Sequence, residues 1–264
     1  MVVASIGGVR PSEIGLQVLR ESERPVLPDT RDRMLTIPGR NGAWDFGSDL
    51  EPKRFNLDCA FMTPGARTLQ QCVETLARLL LDPYGRPRTV ELIFSVTPDR
   101  SYQVRYSGSM PISRLVGMGR FTLPLIAVDP FSYQIEPILD SDVLLDSDVR
   151  LDGEIYGFPG VTSGSTVNVP NKGDFIVRPY ITVEGSFGNL AITSGGKTFY
   201  YTAPISNKTL IIDGESLTVE VDGVNMLHMV AGDFIELAPG DNAVTVSGAG
   251  LACDIEFDVS PRYL

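Results

Sequence analysis

The amino-acid sequence predicts a β-rich fold with a single helix, divided into two domains. Three observations carry that prediction. One segment alone repeats apolar residues at helical spacing. Segments of the first half alternate apolar and polar residues with a period of two. The second half is a series of short β-branched and aromatic runs separated by Gly, Pro and Asp turns.

In chain order, the stretch from Pro25 to Pro52 comes first. It holds Pro28, Pro38, Gly39, Gly42, Gly47 and Pro52 around a few apolar residues, and reads as an excursion from the sheet, a hairpin or a long loop. Phe55, Leu57, Cys59 and Phe61 then alternate with Asn56 and Asp58, the signature of a half-buried strand. The helix is expected over Pro64 to Asp82, with Thr63 as its cap and Pro64 in the first helical position, where a missing N–H costs nothing. Leu69, Cys72, Val73, Leu76 and Leu80 form its buried stripe, and Pro83 ends it. Thr89 to Val96, Ser101 to Tyr106 and Arg120 to Val128 are strand-like.

Composition shifts after Tyr133. Leu-Asp-Ser-Asp-Val occurs at 139–143 and again at 145–149, and the even period would place Leu and Val on one face of a strand and Asp on the other. The domains are therefore drawn as 1–138 and 139–264. Beyond Gly153 the clearest strands are Phe175 to Val183, Lys197 to Thr202, Thr209 to Ile212, Leu217 to Val221, Asp233 to Leu237, Ala243 to Val246 and Ala252 to Phe257. Asp213-Gly214 and Asp222-Gly223 serve as hairpin turns, and the spacing suggests a β-sandwich.

The bulk numbers narrow the function. A chain of 264 residues with 43% hydrophobic and 21% charged residues is an ordinary folded protein. No apolar run approaches the ~18 residues that span a bilayer, and the first ten residues do not read as a signal peptide. The net charge of −11, without any Lys/Arg run, argues against gripping DNA; an acidic wall that DNA slides past is compatible with it. Cys59, Cys72 and Cys253 are odd in number and unpaired in spacing, so they read as reduced, buried thiols.

The motifs that suggest chemistry fail on inspection. His228 is the only histidine, so any Ser-His-Asp or Cys-His arrangement must use it, yet it sits in the apolar run Asn225 to Val230. No serine has Gly two residues before and two after. Ala191 to Thr198 resembles a P-loop, with Leu210-Ile211-Ile212-Asp213 as its Walker B strand. A P-loop must open a helix, whereas Phe199 to Thr202 favour a strand, so Ser194-Gly195-Gly196-Lys197 is read as a hairpin turn. An EF-hand starting at Asp146 would need Gly at 151 and Glu at 157, where the chain has Leu151 and Gly157. The Asp repeat is a solvated strand face or linker, or an irregular calcium site. Asn207-Lys208-Thr209 is a glycosylation sequon that means little without a secretory signal. Trp44, in the Gly/Pro-rich excursion, either packs locally or anchors a partner. No catalytic, cofactor-binding or metal-binding residue is assigned, and no cofactor.

Over nearly its whole length the chain resembles the distal tail protein (Dit) family of long-tailed siphophages. In the first half the resemblance rests on Ile37-Pro38-Gly39-Arg40-Asn41-Gly42, Asp45-Phe46-Gly47, the strand Arg54 to Met62 and the helix. It continues with Gly119 to Val128 running into Asp129-Pro130-Phe131-Ser132-Tyr133. In the second half it rests on Asn171-Lys172-Gly173-Asp174, Arg178 to Gly185, Gly232 to Asn242 and the closing Pro261-Arg262-Tyr263. Each motif alone is weak; their order and spacing make the match.

The resemblance implies an N-terminal β-rich ring-forming domain and a C-terminal galectin-like β-sandwich. It implies a non-enzymatic virion protein: a hexameric ring hub at the phage tail tip, made in the host bacterial cytoplasm. The partners it implies are the tail tube protein, the tail-associated lysin or tail-tip protein, the tape measure and receptor-binding proteins, with DNA passing through the lumen unbound and no membrane. Six copies would carry sixfold the chain's charge, and a lumen of that sign would repel phosphates. Ring contacts are expected in the N-terminal sheet and the Pro25–Pro52 excursion. The alternative is a carbohydrate- or cell-wall-binding β-sandwich module; the second half has no Trp and no His-x-Asn-x-Arg, so no sugar site is carried over.

Overall fold

The alternation around Phe55 to Phe61 sets the frame of the first half. A computed structural model describes residues 3–115, 118–135 and 154–264. Two compact units result, 1–135 together with Leu264, and 136–263. The boundary expected between residues 138 and 139 lies outside the described residues, as does the whole Asp repeat.

In the first unit an antiparallel sheet runs in the order Val3–Ile6, Thr89–Phe94, Thr97–Tyr106, Met118–Ala127, Lys53–Met62, Leu16–Val18. Short strands Ser113–Leu115 and Ser132–Gln134 add to Met118–Ala127 and Thr97–Tyr106. The spine is the pair Lys53–Met62 and Met118–Ala127, in unbroken register from Lys53↔Ala127 to Met62↔Met118. Phe55, Leu57, Cys59 and Phe61 all point inward and are fully buried.

The helix spans Ala66–Leu80 and lays Leu69, Leu76 and Leu80 into that core, with Cys72 and Val73 half-buried beside them. Leu69 reaches the sheet over Gly119, where an added Cβ would lie 3.1 Å from its Cδ1. The expected cap needs correction. Gly65, extended and without a side-chain cap, is the N-cap, and its carbonyl accepts the first helical bond from Leu69 N. Thr63 instead donates its hydroxyl to the Gly65 carbonyl, and Pro64 lies ahead of the helix. At the other end Leu81 is extended, and the Asp82 carboxylate accepts from the Tyr84 and Arg86 amides across the Pro83 turn.

The second unit is a sandwich of two antiparallel sheets. One runs Glu154–Thr162, Ala252–Val259, Tyr180–Phe187, Ile205–Asp213, Thr218–Val221, Val224–Asn225. The other runs Ser165–Asn171, Gly240–Ser247, Leu190–Ser194, Lys197–Tyr201, Val230–Gly232. Val183, Leu210, Val219 and Phe257 from the first sheet meet Val169, Ile192, Val244 and Val246 from the second in one core. Asp222 and Gly223 both adopt positive φ between the paired Val221 and Val224, as a type I′ hairpin turn requires.

Two expected strands differ. The run from Phe175 becomes a strand only at Tyr180, after Pro179, which has no N–H to give a ladder. Asp233 to Leu237 is not a strand: the sheet edge is Val230–Gly232, and Leu237 makes a single bridge to Val177. Glu154–Thr162, Ser165–Asn171 and Leu190–Ser194 are further strands, and Gly, Pro, Ser and Asn dilute the alternation of the first two in the sequence.

All three cysteines are free thiols, Cys59 and Cys253 buried and Cys72 half-buried. Burial, with help from Asp58, pushes the Cys59 thiol up to about 12, so almost no thiolate exists at neutral pH. Cys59 is expected to resist a colorimetric thiol reagent at pH 8 until denaturant is added; rapid labelling of the folded chain would contradict this burial. Leu76→Ala, which empties a fully enclosed site, is expected to cost about 2–5 kcal/mol in urea unfolding. A loss under about 1 kcal/mol would place the helix outside the core.

Candidate functional site: the exposed hairpin

The excursion read from Pro25 to Pro52 is a hairpin. Thr30–Thr36 and Ala43–Leu50 pair from Thr30↔Leu50 to Thr36↔Ala43 and form a two-stranded sheet that, among the described residues, no further strand joins. A bulge lies between Asp32 and Met34, opposite Phe46 and Gly47; Gly47, at φ 90, takes a backbone conformation that side chains disfavour. Nearly every residue of both strands is exposed. A hairpin by itself is marginal in water, and this one carries its apolar residues outward: Met34 60%, Leu35 53%, Trp44 50% and Phe46 67% exposed, with Ile37 beside them. Leu35 and Trp44 are cross-strand partners, and the Arg40 guanidinium stacks 4.3 Å from the Trp44 ring centre. Nearer the base, Arg33 and Arg31 converge on Asp49, and Arg31 also faces Glu51. The hydrogen bond from Arg33 holds the Asp49 carboxyl below its usual range.

The hairpin's base rests on a buried lysine. Lys53 continues the inward alternation of Phe55 and Leu57 and is 1% exposed. Its Nζ donates to the Tyr102 hydroxyl at 3.2 Å and to the Val26 carbonyl at 3.3 Å, and lies 4.9 Å from the Tyr102 ring centre. Arg24 stacks 4.3 Å over Phe94 and donates to the same hydroxyl at 3.5 Å. Burial opposes ionisation of the Tyr102 phenol, but the hydrogen bonds and charges of Arg24 and Lys53 outweigh it and lower its pKa. Phe55, Phe94 and Tyr102 form the aromatic floor, with Phe55 and Tyr102 edge-to-face at 5.1 Å.

Comparison with known families matches both halves. Residues 9–127 match the phage tail protein RIFT-related domain, and residues 172–263 match the C-terminal domain of the siphovirus-type tail component. The chain belongs to the siphophage distal tail protein family, Dit. Among solved structures it is similar to SPP1 Dit (gp 19.1), described as a paradigm of the hub adsorption apparatus in phages that infect Gram-positive hosts. The TM-score is 0.71 at 17% identity, covering 98% of each chain, which shows a shared fold. Chains of the activated phage p2 baseplate align at TM-scores of 0.39 and 0.37, with 6% and 8% identity over 95% of this chain and 93% of theirs; these carry no argument. No curated protein matches. The chain is thus a tail component of siphovirus type.

The other motifs fall into place as structure. Gly195 and Gly196, both at positive φ, turn Leu190–Ser194 back into Lys197–Tyr201, so the P-loop-like segment is a hairpin and opens no helix. Lys197 of that segment pairs with Glu236 at 2.7 Å, and Arg178 joins them at 2.9 Å. His228 is exposed in a single 3-10 turn, Leu227–Met229. Asn207 sits at a bulge with φ 49, tied to Ser186 through its amide and side chain. Among the described residues no group of three or more His, Cys, Asp or Glu side chains could hold a metal ion. Lys53 and its joint with Val26 escaped the sequence reading; the signal was a lysine at the next inward position of an alternating strand.

Since the apolar hairpin residues pack on little within the chain, removing them is expected to leave monomer stability alone. The triple substitution Leu35→Ser, Trp44→Ser, Phe46→Ser is expected to change unfolding free energy by no more than about 0.5 kcal/mol per site. A large drop in melting temperature would show that the hairpin is part of the core.

Proposed function

We propose that this Dit chain is a structural hub: copies close, six to a ring, at the tail tip and join the tail tube above to the tail-tip and receptor-binding apparatus below. One observation carries the reading. A hairpin that displays Met34, Leu35, Trp44 and Phe46 to water is a poor element in a lone subunit and a good one against a neighbour, because exposed apolar clusters of this kind mark contact surfaces. In the ring the contact is heterologous, one copy's hairpin lying on a different surface of the next, so that rotation closes the circle. The family, one of structural tail components, favours this reading over a carbohydrate-binding module. The reading contains no catalytic step. It places the chain in the virion after synthesis in the host cytoplasm, with the tape measure as a further neighbour and DNA passing without specific binding.

Charge refines the picture of that passage. Residues 1–135 carry sixteen Lys and Arg against fourteen Asp and Glu; residues 136–263 carry six against nineteen. The overall −11 therefore belongs to the second unit. A lumen built from first units is nearly neutral on average, and its indifference to phosphate rests on balanced charge rather than strong repulsion.

Light scattering with negative-stain imaging tests the ring. Full-length chain is expected as closed rings of about six subunits, as ring closure predicts. Deleting residues 28–50 should leave folded monomers. Rings that survive the deletion would remove the hairpin from the interface.

A further inference from the structure

We propose that Lys53, acting with Tyr102 and Arg24, is the positioning joint that sets the direction in which the hairpin leaves the first unit. The inference rests on the assembly reading above and adds the device that aims the surface. The hairpin has two legs. The incoming leg pairs with the outgoing one at Glu23 and Asn56, which exchange both main-chain hydrogen bonds. The legs meet again where Glu51 N donates to the Asp29 carbonyl, at the foot of the first strand pair. Between those points, among the described residues, no main-chain hydrogen bond ties them. Val26 and Leu27 there are 80% and 61% exposed, and the buried residue of that stretch is Pro28, next to the foot of the strand pair. One direct side-chain hydrogen bond spans the gap between the legs: Lys53 Nζ reaches from the outgoing leg to the Val26 carbonyl.

The other contacts of Lys53 explain why this tie is directional. Its Nζ is also bound to Tyr102, which belongs to the strand Thr97–Tyr106 and is 1% exposed. Arg24, on the incoming leg, donates to the same hydroxyl and stacks on Phe94. Both legs are thus fixed to one buried phenol of the core. No carboxylate among the described residues pairs with Lys53, so burial of its charge is met only by a carbonyl, a hydroxyl and aromatic faces. A methionine of similar shape would avoid that desolvation, and apolar replacement of buried charge is often neutral or stabilising. A lysine in this position serves geometry more than stability.

Trp44 is the only tryptophan and lies on the hairpin, stacked against Arg40, so its fluorescence reports the motion of this element. The test is time-resolved anisotropy of Trp44 on the monomer fraction of full-length protein, together with ring yield by light scattering. In Lys53→Met a fast segmental component is expected to take at least half of the anisotropy decay and the ring yield to fall severalfold, with no drop in melting temperature. Tyr102→Phe keeps the ring and removes the shared acceptor; a smaller shift in the same direction is expected, and this variant decides the matter if Lys53→Met does not fold. An anisotropy decay unchanged from wild type in the folded variants overturns the joint, whatever the ring yield. If the joint loosens and rings persist, Lys53 does not position the hairpin for assembly. If the deletion of 28–50 leaves rings intact, the assembly reading falls, while the anisotropy still decides whether Lys53 holds the legs.

Discussion

The first unit depends on the register between Lys53–Met62 and Met118–Ala127. Because side chains alternate across a strand, a slip of one residue would turn Phe55, Leu57, Cys59 and Phe61 into water and bring Asn56 and Asp58 inside. That penalty makes the pairing all-or-none. Everything else in the unit is hung from it: the helix packs over Gly119 on one of these strands, and the aromatic floor of Phe55, Phe94 and Tyr102 begins at its other end. The alternation also carries Lys53 inside. A rule that normally selects apolar side chains has here delivered a cation to the place where the hairpin departs.

That placement separates two kinds of surface. The core of the first unit is closed by fully buried aliphatic and aromatic side chains, while the hairpin adds almost nothing to it. An element that does not stabilise its own subunit is free to be shaped for another. Its base is ionic, with Arg31 and Arg33 about Asp49, and its outer part apolar around Leu35 and Trp44. The main-chain ladder joins the two strands, the ionic base adds little where solvent weakens each pair, and the apolar part supplies area that association can bury. The second unit is built differently: two sheets share one core, several of its hairpins turn at Gly and Asp, and it holds most of the chain's negative charge.

Much of this was legible in the sequence. Period-two alternation, one helical stripe and turn dipeptides are local signals, and they pointed to a β-rich chain with one helix, the main strands of both halves and the hairpin nature of Ser194 to Lys197 and Asp222-Gly223. The order and spacing of weak motifs pointed to the family. Local signals erred where a neighbour decides the outcome: the helix begins at Ala66 behind Gly65, and the Thr63 hydroxyl donates to the Gly65 carbonyl instead of capping an amide of the first turn, and Asp233 to Leu237 is not a strand because the sheet edge is filled by Val230–Gly232.

What the sequence by itself determined is which residues are apolar, at what period, and where the chain must turn; those fix the elements, because burial and backbone sterics act over a few residues. Only the tertiary structure decided which apolar residues stay outside and what holds the hairpin. Trp44 and Phe46, two positions apart on one strand, do not differ in kind from the core pair Phe55 and Leu57, since exposure depends on whether another sheet arrives to cover the face. Likewise the value of Lys53 comes from Val26, twenty-seven positions earlier, and Tyr102, forty-nine later, converging on one nitrogen. Such a convergence is a property of the folded chain, created when strands distant in sequence are brought side by side.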